Sequence, residues 1–440
     1  MLLKIIRYHI FFLILFSWVP YSVGNAFADL DPERFENISS FNPVGAGSRA
    51  MAMGGANIAL ADNATAASWN PGCLGIIDER IKFQFAYVLS YYNRSENEFS
   101  EREGTDCSGV QVAEPELNYL SVVRAGYLFG KKVCFSVNYQ QMYDLNREIE
   151  IKTDFGDSDN LSEINYSQKG SLYALGVAFN ARLTYKLHLG GTINYWGNVF
   201  GTNSWSLLCQ DRSNDYLYAK KDKFELKGWN YVIGLHYKLF ENLFLGVVVK
   251  TPFTANIEHK LKIDYTSFSS DITPISEPKF KKTYVKMDMP LSYGAGLAYK
   301  VQRNWYITAD IYRTHWDQLK YIDEKGIAFS PLSAKNIDQS HIEPLVWYRA
   351  GTEYEIEFAQ KKFLQSLKLR SGLFYDPAPR DNGKDTIYGV SCGVGFILKR
   401  FVFDIAYQYR FGDDVMNSNI EVIGPEDMKE NYFYTCIQFR

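Results

Sequence analysis

The run FVFDIAYQYRF, Phe401 to Phe411, carries Phe, Ile or Tyr at every odd position, with Val402, Asp404, Ala406, Gln408 and Arg410 between them. Successive side chains of a strand point to opposite faces, so this segment has one wholly apolar, aromatic face and one mixed face. Strands of soluble sandwiches are usually about five or six residues long. A tilted strand that crosses a bilayer needs about 9 to 11. The run has the longer dimension, and its aromatic residues sit toward its ends, where interface girdles belong.

The same alternation recurs upstream. Ile81 to Tyr91 sets Ile81, Phe83, Phe85, Tyr87, Leu89 and Tyr91 against Lys82, Gln84, Ala86, Val88 and Ser90. Phe135, Val137, Tyr139 and Tyr143 oppose Ser136, Asn138 and Gln140. Strands centred near Phe85, Val123, Tyr139, Leu175, Ile193, Ile233, Val248, Tyr293, Ile307, Arg349, Leu369, Val390, Ile405 and Thr435 make about fourteen in all. Tight joins fall at Gly130–Lys132, Asn180–Tyr185, Glu241–Asn242, Val301–Asn304 and Lys399–Arg400. Long polar joins fall at Ser95–Glu116, Gly156–Ser162, Gly201–Lys221, Ile263–Lys281, Asp323–Ser340, Pro377–Lys384 and Gly412–Lys429. Short turns at one end and longer loops at the other are the asymmetry of an outer-membrane barrel. The fold class read from the sequence is therefore all-β, a transmembrane antiparallel β-barrel.

Composition agrees. Aromatic residues make up 16% of the chain, with 32 Tyr and 30 Phe against 14 Pro. No apolar run is long enough for a helical span. A net charge of -3 with no basic tract gives no reason to expect a nucleic-acid partner. At the N-terminus, Lys4 and Arg7 precede the apolar stretch Ile10–Trp18, and Ala26-Phe27-Ala28 is an A-x-A site. This pattern predicts a cleaved signal peptide over residues 1–28 and export from the cytoplasm. Cys73, Cys107, Cys134, Cys209, Cys392 and Cys436 lack framework or C-x-x-C spacing, and read as ordinary small residues, although an oxidising exterior permits a Cys107–Cys209 bond.

Residues 29–79 precede the barrel at 80–440 and do not alternate. Gly47 to Gly72, GSRAMAMGGANIALADNATAASWNPG, is built almost entirely of small residues. Ser48–Leu60 reads as a helix with Ser48 as its N-cap. Gly54 and Gly55 within it cost about 1 kcal/mol each relative to Ala, so close packing must hold it. Asp62 or Asn63 caps a second short helix over Ala64–Trp69, and Asn70 before Pro71 ends it. Small side chains suit a plug in a narrow lumen; a periplasmic tail or a cap beneath the barrel fits the residues equally.

The stretch GSRAMAMGGANIALADNATAASWNPGCLG resembles the hatch signature of the FadL/TodX family of outer-membrane transport proteins. Asn70 and Pro71 match its Asn-Pro-Ala motif, and Gly72 replaces the Ala. MPLSYGAGLAYKVQRNWYITADIYRTHWDQL, from Met289, and LRSGLFYDPAPRDNG, from Leu369, resemble later strands of the family. The terminal segment Asn431–Arg440 resembles an outer-membrane C-terminal strand, with Arg440 following the usual aromatic residue. The resemblance implies a fourteen-stranded barrel in the bacterial outer membrane, inserted by the barrel assembly machinery and surrounded by outer-membrane lipid. It implies an N-terminal hatch in the lumen, with Gly54, Gly55, Asn70, Pro71 and Gly72 as gating residues. The implied function is uptake of hydrophobic compounds, such as long-chain fatty acids or aromatic hydrocarbons, past a moving hatch and a gap in the wall. PorV-like proteins, which bind exported proteins for secretion or surface attachment, share the fold and give the alternative.

Other chemistry finds little support. Gly45 to Ala50 fits G-x-G-x-x-A, but no strand precedes it within a βαβ unit. His188, His236, His259, His315 and His341 belong to no local motif, so no catalytic residues are expected. Asp154, Asp157, Asp159 and Asn160 lack EF-hand spacing and read as a solvated loop, so no metal or cofactor is expected.

Overall fold

The computed structural model describes residues 44–77, 83–96, 105–109, 112–154, 161–200, 203–212, 216–267, 279–333, 335–358, 363–415 and 426–439. The expected signal peptide, Asp157, Asp159, Asn160 and the side chains of Cys107 and Asp154 lie outside them. Among the described residues no helix is long and apolar enough to cross a membrane.

Fourteen antiparallel strands close into a ring. They are β1 (Phe83–Glu96), β2 (Val112–Leu128), β3 (Lys131–Asp144), β4 (Leu161–Arg182), β5 (Leu187–Trp196), β6 (Tyr216–Phe240) and β7 (Leu243–Lys250). The circuit continues through β8 (Ser292–Gln302), β9 (Trp305–Thr314), β10 (Leu345–Glu357), β11 (Leu364–Tyr375), β12 (Tyr388–Leu398), β13 (Phe401–Val415) and β14 (Glu426–Phe439). Each strand pairs with the next, and β14 closes on β1 in a register running from Phe85 with Phe439 to Glu96 with Met428. Every centre expected from the alternation falls inside its strand.

The alternation also fixes which side is which. On β13 the even residues Val402, Asp404, Ala406, Gln408 and Arg410 are buried and face the lumen, while Phe401, Ile405 and Phe411 are exposed. Around the ring Phe135, Val137, Val177, Phe179, Ile233, Ile307, Ile311 and Leu373 stand outward with 42–62% of their surface exposed. So large an apolar exterior would be untenable in water and is the lipid-facing band of a membrane barrel. The chain ends of the ring and the short turns at 129–130, 241–242, 303–304 and 399–400 lie at one end, which by that asymmetry is periplasmic.

The opposite end differs from the expected polar loops. Strand Thr105–Gly109 and strand Ser204–Arg212 fall inside two of them, and the long β6 begins inside the second. Strands Arg147–Asp154, Phe253–Ser267 and Lys279–Met289 likewise continue the wall beyond the lipid band. On Phe253–Ser267 the outward Asn256, Glu258 and Lys260 are polar, so nothing apolar marks the alternation there in the sequence.

Residues 44–77 lie within the ring and supply much of its core. Trp69, Met51, Met53, Ile58, Leu74 and Ile77 are completely buried. The expected helix Ser48–Leu60 is shorter: α1 covers Ser48–Ala52 and stops. Gly54 and Gly55 adopt φ of +67° and +75°, a left-handed turn that breaks the helix where propensity alone would carry it on. Ser48 does not cap α1; Gly47 occupies that position. The second helix, α2, is also shorter than expected, Ala66–Trp69, and Thr65 rather than Asp62 or Asn63 is its N-cap; Asn63 accepts from the Thr65 N–H at 2.9 Å, and extended Asn70 ends α2 as expected. A 3₁₀ turn over Pro71–Ile76 follows.

Candidate functional site

Residues 44–77, the expected hatch, are held by backbone pressed on backbone. A Cβ on Gly72 would sit 2.8 Å from the Gly234 carbonyl oxygen and 2.8 Å from the His236 nitrogen. The wall answers with its own glycines. A Cβ on Gly190 of β5 would strike the Pro71 carbonyl, and one on Gly246 of β7 would strike that of Ile58. In another sector Gly54 lies against β10 and β11, where its Cβ would be 2.8 Å from Leu373 O and 3.0 Å from Ala350 O. Gly55 faces the Arg349 guanidinium. The five residues expected to form the gate therefore make separate seats, Asn70–Gly72 on β5 and β6, Gly54–Gly55 on β10 and β11.

Asn70 ties the first seat together. Its Oδ1 accepts from the Gly72 N–H at 2.9 Å, while its Nδ2 donates to Ile58 O and to Leu235 O of the wall, each at 2.9 Å. Removing one partner of a buried hydrogen bond costs about 1–3 kcal/mol. Asn70→Ala is therefore expected to raise amide hydrogen exchange across 56–76 while the barrel strands keep their protection; unchanged exchange would show that the amide does not anchor the turn.

Further anchors come from around the ring. Asp310 accepts from the N–H groups of Asn57 and Ile58 at 2.6 and 2.8 Å. Asn180 donates to Gly72 O at 2.9 Å, Gln408 to Met51 O at 2.8 Å, and Ser391 accepts from Gly54 N–H at 2.8 Å. The charged contact centres on Arg49, which sequence reasoning missed. Its guanidinium grips Glu353 of β10 at 2.7 and 2.8 Å and also meets Asp62. Glu353 accepts from Arg370 at 2.7 Å and Lys368 at 3.1 Å, and Arg370 continues to Asp404 at 2.7 Å. Burial opposes the charge on Arg49, but Asp62 and Glu353 outweigh it and hold the group protonated well above the ordinary arginine value. The one available signal was a lone cation in a run of small residues.

Different chambers flank the hatch. On the outer side a cavity of about 40 Å³ is lined by Met142, Tyr143, Trp196, Phe253, Tyr312 and Trp347. Tyr312 and Trp347 stack at 5.4 Å, and Trp196 packs on Phe253 at 5.2 Å. Lys250 donates to the Val44 carbonyl here at 2.6 Å. On the periplasmic side a cavity of about 210 Å³ is lined by Arg49, Asp62, Gln84, Lys368, Arg370 and Asp404. The first room is aromatic and nearly filled; the second is polar and roomy enough for several waters.

Several registers of the wall slip, and beside β3 a slip is mended by side chains. The β3–β4 register slips between Gln141 and Tyr143. Beyond it Leu145 N–H donates to Gly170 O at 3.0 Å, and Asn146 Oδ1 accepts from Gly170 N–H at 2.8 Å. Glu116 accepts from Asn146 at 2.7 Å and also from Gln141. Side chains stand here where ladder bonds would otherwise run.

The histidines are less scattered than they read. His188 and His236 face each other across β5 and β6, with ring centroids 6.0 Å apart. His259 meets Asp222 at 2.7 Å in the outer wall. Cys73, Cys209, Cys392 and Cys436 are free thiols, and burial pushes the Cys73 thiol up. Among the described residues no group of His, Cys, Asp and Glu is placed to hold a metal ion.

Solved structures share this architecture. A Pseudomonas aeruginosa FadL homologue superposes over 91% of this chain and 99% of its own, with a TM-score of 0.62 at 11% identity. The Ralstonia pickettii toluene transporter TbuX covers 92% and 99%, with a TM-score of 0.51 at 13% identity. A P. putida toluene transporter TodX covers 91% and 99%, with a TM-score of 0.54 at 15% identity. At these identities the likeness is one of fold. No curated protein sequence matches the chain. The profile of the family described as outer membrane protein transport protein (OMPP1/FadL/TodX) matches residues 39–425, and the chain belongs to that family.

Proposed function

We propose that the protein admits hydrophobic small molecules, long-chain fatty acids or aromatic hydrocarbons, through the outer membrane, and that residues 44–77 gate their passage. The observation that carries this reading is the aromatic chamber resting on the hatch, with Lys250 at its rim. Each CH₂ of a ligand moved from water into such a chamber gains about 0.8 kcal/mol. The chamber's 40 Å³ is too small for a hydrocarbon, so a ligand enters as Val44 leaves Lys250 and the aromatic side chains part. Onward travel through the polar periplasmic room would forfeit the gain. Departure sideways into lipid would keep it, and the mended break beside β3 is the place for it.

Uptake of labelled fatty acid and labelled toluene into proteoliposomes tests the reading. The protein is expected to accelerate at least one, and Trp347→Ala to slow that uptake by at least about fivefold, the loss of an aromatic contact worth about 1 kcal/mol. Uptake indifferent to the protein across both ligand classes would overturn it. Co-purification of an exported protein with no uptake would point instead to a protein-holding role.

A further inference from the structure

Above the lipid band one face of the outer wall is basic. On β6 the outward positions run Lys221, Lys223, Glu225, Lys227 and then Trp229 and Tyr231, which are 56% and 52% exposed at the top of the apolar band. Lys227 thus stands one outward position above Trp229, ~7 Å along the strand. The next strand, Phe253–Ser267, places Lys260 beside Lys223 and Lys262 beside Lys221. Strand Lys279–Met289 places Lys282 beside Lys260.

Lys223, Lys260 and Lys282 therefore form a row across adjacent strands, spaced at ~4.8 Å. Like charges directly opposite one another destabilise a sheet. Glu225 and Glu258 relieve part of this: Lys260 lies 2.8 Å and Lys282 2.9 Å from Glu258, and Lys223 lies 3.2 Å from Glu225. Among the described residues Lys221, Lys227 and Lys286 make no ion pair, yet they face outward on the same surface. Aromatic rings support the lysines, with Lys282 5.1 Å from the Tyr284 ring and Lys262 5.8 Å from that of Phe280. The adjoining strand Ser204–Arg212 presents Ser204, Ser206, Leu208 and Gln210 outward before Arg212 at its end, so beside Lys221 and Lys223 the lysines stop. Lys227 and Lys286 stand on either side of Asn256, next to the membrane boundary and without a carboxylate partner, and they need an anion that sits at that height.

We propose that this face binds the phosphorylated headgroups of outer-leaflet glycolipids, with the lysine ammonium groups on the phosphates and Trp229 and Tyr231 at the acyl boundary. Anionic headgroups attract basic residues near the surface, each Lys contributing roughly a fivefold gain in binding. A soluble polyanion would have no reason to prefer lysines set directly on the aromatic girdle.

Native mass spectrometry of the purified full-length barrel tests this with bisphosphorylated lipid A, dephosphorylated lipid A and phosphatidylglycerol as probes. The unmodified protein is expected to retain bisphosphorylated lipid A at least about tenfold better than either of the others. The double variant Lys227→Gln/Lys286→Gln is expected to lose that preference while still migrating as a folded barrel. Equal retention of the three lipids by the unmodified protein overturns the proposal without reference to any variant, and so does an undiminished preference in a folded double variant. Neither result bears on hydrophobic uptake, which the proteoliposome assay reads separately.

Discussion

Gly234→Val is expected to unseat the hatch and turn a closed barrel into a conducting one. The added Cβ would overlap Asn70 Oδ1 and come within 2.7 Å of Pro71 Cδ and 2.9 Å of Gly72 N. Neither side can yield cheaply. Gly234 is fixed in ladders with β5 and β7, opposite Gly190 and Val248. Asn70–Gly72 is fixed by its hydrogen bonds to Ile58 and Leu235. Overpacking a well-filled core costs about 1–3 kcal/mol even where side chains can adjust, and here the opposing atoms are a hydrogen-bonded amide oxygen, a proline ring carbon and a backbone nitrogen. The strand itself gains β-propensity from Val, so the barrel is expected to fold and the hatch to move. Planar-bilayer conductance should rise at least about tenfold, the change given by 1.4 kcal/mol in the closed-to-open balance. Gly126→Val is the control, since a Cβ there meets nothing within 4 Å. Conductance equal in the two variants would show that the glycine contact does not hold the hatch.

The barrel was legible because lipid selects one face of every strand. Phe401, Ile405 and Phe411 need apolar side chains whatever lies inside, so the period of two survives to the sequence. Where that pressure stops, legibility stops. Strands Ser204–Arg212 and Phe253–Ser267 are regular too, but Ser, Lys and Glu point outward; the first reads as a loop, and the second goes unmarked up to the loop expected from Ile263. Residues 44–77 were legible as small and non-alternating, and Asn70–Gly72 as a turn. Their shape was not, because Gly54 and Gly55 look like weak helix positions until the wall behind them is known. The wall glycines carry the same ambiguity: Gly190, Gly234 and Gly246 weaken a strand considered alone and make room for a hatch considered together. Arg49 and Glu353 are 304 residues apart, and no local pattern announces such a pair.

Arg49→Met is expected to release the hatch by a different route, through charge rather than shape. The substitution keeps an unbranched side chain of similar reach, so packing near α1 changes little. It strips Glu353 of its bidentate partner, leaving Arg370 and Lys368, and strips Asp62 of the arginine it meets. Breaking a buried pair by removing one member costs about 3–5 kcal/mol, since the other charge stays buried. Amide exchange over 48–60 is expected to quicken by at least about a hundredfold, the lower end of that cost at a factor of ten per 1.4 kcal/mol, while strand exchange is unchanged. A cycle with Glu353→Gln separates the pair from its surroundings: the double variant should lose less than the sum of the single losses. The pH response follows from the sign of the shift. A cation held above its ordinary value stabilises fully below that value and loses its contribution only as pH rises through the raised one. Arg49 therefore stays charged through mild alkali, and its share of the closed state should not titrate between about pH 7 and 10. Exchange over 48–60 that quickened in Arg49→Met and Arg49→Lys alike would assign the effect to bidentate geometry, because lysine keeps the charge and cannot form the fork. Exchange that quickened in neither would remove the ion pair from the gate altogether.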